Sequence, residues 1–188
     1  MYSYTEPFYF PQQTLKERTF IASTTYAGVV VPIYSSTSPT FGLWNPYGST
    51  KDLVLIRLNI GVSDSTTPVV TSLGLGYVAN TGATVATGAP LSALTETQPV
   101  CGLIGRTPSH ASRFTLSATL TSAASFFYEL GASQATTTAA NGLMFNSYEF
   151  QGDIVVPPGT FIHLVGSPVA PGVHLAATLV FTEIDSTS

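Results

Sequence analysis

The stretch GLWNPYGSTKDLVLIRLNIGV, Gly42–Val62, joins a turn to a long alternating run. Pro46 breaks whatever strand precedes it, and Asn45 before it is held extended. Gly48 permits a tight turn. The charged pair Lys51–Asp52 then opens the run. Val54, Ile56, Leu58, Ile60 and Val62 fall on one face, and Leu53, Leu55, Arg57 and Asn59 on the other. A period of two with one apolar face is what a half-buried strand requires. These devices fix register and do no chemistry.

The same alternation recurs to both sides. In Arg113–Thr121, Phe114, Leu116, Ala118 and Leu120 alternate with Ser, Thr and Arg. A helix would spread those hydroxyls around its whole surface and lose the apolar stripe. Val173–Ile184 places Val173, Leu175, Ala177, Leu179 and Phe181 on one face. Further strands are expected at 28–34, 40–44, 69–79, 100–104, 125–130, 148–156 and 160–165. Turn signals separate them: NPYGS, SDSTTP, NTG, TGAP, AANG, VPPGT and SPVAPG. About ten short strands with little helix predict an all-β, jelly-roll-type antiparallel β-sandwich. Helix is plausible only near Leu91–Glu96 or Ala132–Ala140, and three threonines disfavour it in the second.

A chain of 188 residues suits one large β domain with an arm. We divide it into an arm, 1–20, and a sandwich, 21–188. The arm carries Tyr2, Tyr4, Phe8, Tyr9 and Phe10, interrupted by Pro7 and Pro11. Aromatics on a Pro-stiffened terminal segment need a surface to cover. That surface is either their own domain or a neighbouring subunit, and we take these five as candidate subunit-interface residues.

Charged residues make up 9% of the chain, well below the usual share, and the net charge is −4. Low charge predicts a surface covered by other subunits; a neutral Ser/Thr-rich surface wetted by water is the plainer reading. Lys16, Arg18, Lys51, Arg57, Arg106 and Arg113 are scattered, so no footprint for nucleic acid is present. The N-terminus lacks a basic start and an apolar core, so no signal peptide is expected, and no apolar run is long enough to span a bilayer. Cys101 stands alone between apolar neighbours and reads as a buried, inert thiol.

Reactive constellations are sparse. Gly74, Gly76 and Ala79 spell GxGxxA, but no helix follows to receive a phosphate. The glycines mark a bulge or close backbone approach instead. There is no GxSxG elbow for a nucleophile. His163, between Ile162 and Leu164, reads as a hydrogen-bonded strand residue, and His110 as a loop residue. His110, His163 and His174 lack Cys or acidic neighbours at ligand spacing, so neither a metal nor a cofactor is expected within one chain. A metal shared across a symmetry axis stays open. A glycosidase pair is not indicated by the acids at strand ends. Trp44 reads as core.

The opening stretch resembles a pattern in small bacteriophage virion proteins. An aromatic, Asn-Pro, Gly-Ser and a Lys lead into a long alternating strand. The segment GDIVVPPGTFIHLVGSPVAPGVHLAATLVFTEID matches in layout: strand, Pro-Gly turn, strand, and a final strand closing in FTEID. The resemblance spans 41–62 and 152–185. It implies a jelly-roll-like protein of the decoration, head-fibre or tail-accessory kind, located in the virion and made in a host cytoplasm. The aromatic N-terminus and the Thr/Ala-rich middle are outside the pattern.

The expected function is that of a virion structural protein, a capsid decoration, cement or accessory component. It would act by assembly and not as an enzyme. Its partners would be copies of itself, as a trimer, and other virion proteins. A carbohydrate-binding module for host recognition and a self-assembling coat subunit are the alternatives. A hydrolase would need a cleft where histidine and carboxylate converge, which nothing in the sequence predicts.

Overall fold

A computed structural model describes residues 9–25, 27–30, 32–65, 69–79, 91–135, 145–166 and 173–186. One helix, α1 (Tyr9–Leu15), precedes thirteen strands among these residues. They are β1 (Thr19–Ser23), β2 (Val29–Val30), β3 (Gly42–Asn45), β4 (Lys51–Ser65), β5 (Val69–Ala79), β6 (Leu91–Thr97) and β7 (Val100–Cys101). The rest are β8 (Arg113–Leu120), β9 (Ser125–Ala135), β10 (Phe145–Glu149), β11 (Val155–Val156), β12 (Thr160–Gly166) and β13 (Val173–Asp185).

Two sheets face each other. One runs β10-β4-β13-β1-β7, with β11 also on β4 and β2 on β13; the other runs β6-β8-β3-β12-β5-β9. The longer strands pair as nested partners: β1 with β13, β3 with β12, β4 with β10 and β5 with β9, all antiparallel. First with last, second with second-last and so on inward is a long hairpin rolled up, which is the jelly-roll order. The strands β6, β7 and β8 are inserted between the fourth and fifth members of this roll. β8 extends one sheet beside β3, and β7 extends the other beside β1.

The core between the sheets holds Phe20, Leu43, Leu53, Leu55, Leu58, Phe114, Phe150 and Phe181, each nearly inaccessible. Each such side chain contributes about 1.5–3 kcal/mol by leaving water. The alternation read in β13 holds, since Leu175, Ala177, Leu179 and Phe181 all enter this core. In β4 it does not hold. Leu53 and Leu55 face the core, then Leu58 and Ile60. The register against β13 jumps from Leu55 to Arg57, leaving Ile56 as an extra residue. A bulge exchanges the two faces, so a strand counted without it is half inverted. β8 repeats the device. Its register against β6 skips Leu116, and Phe114 enters the main core while Ala118 and Leu120 join a second cluster with Trp44 and Phe161.

Other expectations are corrected. Leu91–Glu96 lies in strand β6 because β8 supplies a partner along it. The helix is at Tyr9–Leu15, with Pro11 in its first turn, where a missing N–H costs no helical bond. The expected strand at 148–156 is two short strands separated by a turn at Gln151–Gly152. The expected strand at 28–34 shortens to β2. Residues 136–140, the end of the second candidate helix, lie outside the described residues.

The opening turn works as its residues suggest. Gly48 has φ +80°, and Ser49 N–H donates to the Pro46 carbonyl at 3.1 Å. Asn45 adds more than its place before proline. Its buried amide donates to the carbonyls of Lys51 and Val156, both at 2.8 Å, while Gly159 N–H donates to its own carbonyl. One side chain thus ties the NPYG turn to the VPPGT turn.

Candidate interaction site

The sandwich has two side edges, and both carry concave features. At the first, β7 ends one sheet and β6–β8 end the other. A cleft of about 610 Å³ opens there, lined by Glu96, Gln98, Cys101, Arg106, His110 and Arg113 among others. Histidine and carboxylate therefore do share a cleft, against the expectation from sequence. Their contacts form a chain. Arg113 donates to Glu96 at 2.7 Å, and the Gln98 amide donates to Glu96 at 2.9 Å. His110 Nε2 meets the Gln98 carbonyl oxygen at 2.5 Å, and its Nδ1 meets the Ser112 carbonyl at 2.7 Å. Both ring nitrogens are occupied by groups that are not nucleophiles. The loop bearing His110 is fixed from beneath by Glu183. This buried carboxylate of β13 accepts N–H bonds from Ala111 at 3.0 Å and Ser112 at 2.8 Å. Cys101 is buried, as its neighbours imply.

His163 sits elsewhere, in β12 at the middle of its sheet and 2% exposed. Its Nδ1 lies 3.0 Å from the Leu164 carbonyl and its ring 5.7 Å from that of Phe161. Burial pushes its pKa down to about 4, against the weaker upward pull of that carbonyl. Such a neutral, enclosed imidazole is a packing residue. The glycines beside it serve close approach. A Cβ on Gly74 would stand 2.1 Å from the Phe126 ring, and one on Gly42 would stand 2.2 Å from Phe161. Aromatic rings lie across these glycines, and the GxGxxA pattern marks bulged strand. Among the described residues no three His, Cys, Asp or Glu side chains come together as a metal would need, and no helix is long and apolar enough to cross a membrane.

The second edge is different in kind. β9 ends the six-stranded sheet, and among the described residues no strand pairs with its outer side. It carries Phe126, Phe127 and Tyr128 in a row, exposed by 49, 39 and 38%. A bulge lets three consecutive aromatics find neighbours. The register against β5 steps from Tyr128 to Phe126 and leaves Phe127 extra. Phe126 then packs edge-on against Tyr34, Phe127 against Tyr77, and Tyr128 against Phe150. Burial, then the nearby charge of Glu129, raises the Tyr34 pKa. Beside Phe127 lies a groove of about 330 Å³ that spans both sheets. Tyr77, Phe127 and Ile162 come from one sheet, and Ile154, Val155 and Pro157 from the segment around β11. No charged side chain among the described residues lines it. An apolar hollow continuous with an exposed aromatic strand is suited to hold a partner's apolar segment.

The candidate interface residues from the sequence divide. Tyr2, Tyr4 and Phe8 lie outside the described residues. Tyr9 is buried and Phe10 half-buried in α1, which packs on β1 and β13 of its own chain. The sequence reading missed the β9 aromatics as a site, although the FFY run is itself visible there.

No protein-family model, curated protein or solved structure matches this chain. What the fold and site define is a class: an all-β jelly-roll sandwich with a fastened edge and an open apolar one.

Proposed function

We propose that this chain is a structural subunit that works by assembling with copies of itself, in the role of a virion decoration or accessory protein. The observation that carries the reading is the exposed aromatic edge of β9 with its adjoining apolar groove. Large apolar groups left in water cost free energy that a contact recovers, and aromatics dominate such contacts. The bacteriophage role rests on the resemblance of 41–62 and 152–185. The cleft at the other edge supports no hydrolytic reading, because His110 is held between two acceptors by its own chain.

Light scattering on the full chain across a range of concentrations tests assembly, and antibody labelling of particles tests virion location. A closed oligomer, expected as a trimer, supports the reading; a monomer throughout refutes it. The exposed phenols of Tyr77 and Tyr128 favour a second reading, a glycan-binding surface. Loss of glycan-array binding in Tyr77→Ala would support it, and silence across the array would count against it. The groove's lining offers few hydrogen-bonding groups, which is why assembly ranks first.

A further inference from the structure

We infer that the groove at the β9–β11 edge receives the turn Leu103–Arg106 of a second copy of this chain, with Ile104 as the inserted side chain. The inference rests on the assembly reading above and names the contact that would build it. The turn follows β7, at the opposite edge of the sandwich from the groove. Ile104 is 76% exposed, the most of any large apolar side chain among the described residues. Turn tips ordinarily carry glycine or small polar residues, so an isoleucine here adds nothing that the turn itself needs. The turn is also well fixed. Arg106 N–H donates to the Leu103 carbonyl at 3.2 Å, and Gly102 N–H donates to the Thr19 carbonyl at 2.7 Å. Gly105 takes a φ of +89°, as the third position of a type II turn requires. A side chain held out on a fixed turn loses little freedom on docking.

Size, polarity and charge of the two surfaces agree. The groove, of about 330 Å³, is at the small end of binding pockets, and its walls include Tyr77, Phe127, Val155 and Ile162 with no charged side chain among the described residues. It suits a single branched aliphatic side chain and part of its neighbour. Charge lies just outside both surfaces. Arg106, two residues past Ile104, is exposed and meets Glu17 of its own chain through Nε at 3.5 Å. Asp153 is exposed and immediately precedes Ile154 of the groove wall. With Ile104 seated, the Arg106 guanidinium of one copy faces the Asp153 carboxylate of the other, and such rim charges set partner and register. A donor on one edge and a receptor on the opposite edge make a heterologous contact, and such contacts close into rings when the rotation allows. A ring of copies is therefore the expected product.

Sedimentation of full-length variants tests this from both sides of the contact. Ile104→Asp on the turn and Val155→Glu in the groove should each weaken self-association about tenfold or more, without changing the melting temperature by more than about 2 °C. An oligomer that survives Ile104→Asp unchanged would overturn the inference and leave the assembly reading standing. An unsubstituted chain that is a monomer at every concentration would instead sink the assembly reading, and the inference with it. Charge reversal gives a second measure that a merely structural role would not move. Arg106→Glu and Asp153→Arg should each weaken association, and the two together should restore most of it. Loss in both single variants without recovery in the double would contradict the pairing of these two edges. Disulfide trapping fixes the orientation, with Cys101 buried and out of the reaction. Ile104→Cys mixed with Val155→Cys under oxidation is expected to give a two-chain species. A bond in Ile104→Cys alone, with none in the mixture, would overturn the inference in favour of a like-with-like contact.

Discussion

At the β7 edge, the cleft mixes apolar side chains such as Val100 with a series of polar groups that find partners within the chain. Glu183 holds the Ala111 and Ser112 amides, and Gln98 links His110 to the Glu96–Arg113 pair. At the β9 edge, Phe126, Phe127, Tyr128, Tyr77 and Val155 are each more than a third exposed beside an apolar groove. Both edges expose the side of a terminal strand, and such an edge invites pairing unless it is managed. At the first, the polar groups of the cleft find partners within the chain. At the second, a row of aromatics stays exposed. Under the proposed assembly, the contrast separates residues that finish the monomer from residues that a complex would cover.

The largest effect is expected at the fastened edge. Glu183→Ala leaves the buried amides of Ala111 and Ser112 without an acceptor and should cost about 3 kcal/mol of stability, a fall of roughly 10 °C in melting temperature. A change under 1 °C would show that the loop is held by other contacts.

Of similar size, but expressed through pH, is the effect of His163. Its folded pKa of about 4 lies below the ordinary value of 6.5. The unfolded chain therefore binds the proton more readily between those values. The stabilising preference for neutral imidazole is complete above pH 6.5 and is lost as pH falls toward 4, about 3 kcal/mol in all. Denaturant titrations should show His163→Gln with a shallower decline of stability over that window. Parallel declines for the two proteins would refute the burial account.

At the open edge the stability effect should be small. Phe127→Ser, at 39% exposure, should change folding stability by less than about 1 kcal/mol yet reduce the oligomer fraction at fixed concentration. Equal loss of both would mean that Phe127 finishes the monomer, and the contrast between edges would collapse. The smallest effect belongs to Arg113→Ala. The pair with Glu96 is 2.7 Å long but half-exposed, so its loss should cost under about 1 kcal/mol by chemical denaturation.

How much of this the sequence discloses depends on the range of the interactions. Fold class follows from local alternation and turns, and β13 reads correctly residue by residue because its core-facing row from Leu175 to Phe181 continues unbroken. β4 and β8 read correctly as strands, but the core-facing row is misplaced before Ile56 in β4, where Leu53 and Leu55 enter the core, and after Leu116 in β8. A bulge is decided by the partner strand, and a run apolar on both sides hides it. The helix at Tyr9–Leu15 is masked by its aromatics and proline, and it forms because β1 and β13 give it a surface. Asn45 looks like a residue that merely precedes proline, while its amide bonds depend on Val156, 111 positions away. The cleft likewise joins Glu96 of β6 to His110 on a loop that Glu183 of β13 holds, so no spacing announces it. The open edge was partly legible, since SFFYEL places three aromatics together. That they stay exposed follows from the place of β9 at the end of its sheet.

Sedimentation velocity on the full chain and on Val155→Glu, over the same concentrations, tests the central claim most directly. The unmodified chain should form a discrete closed oligomer that the substituted chain fails to form, with both equally folded. A chain that sediments as one copy at every concentration, or a substituted chain that assembles just as well, would contradict it.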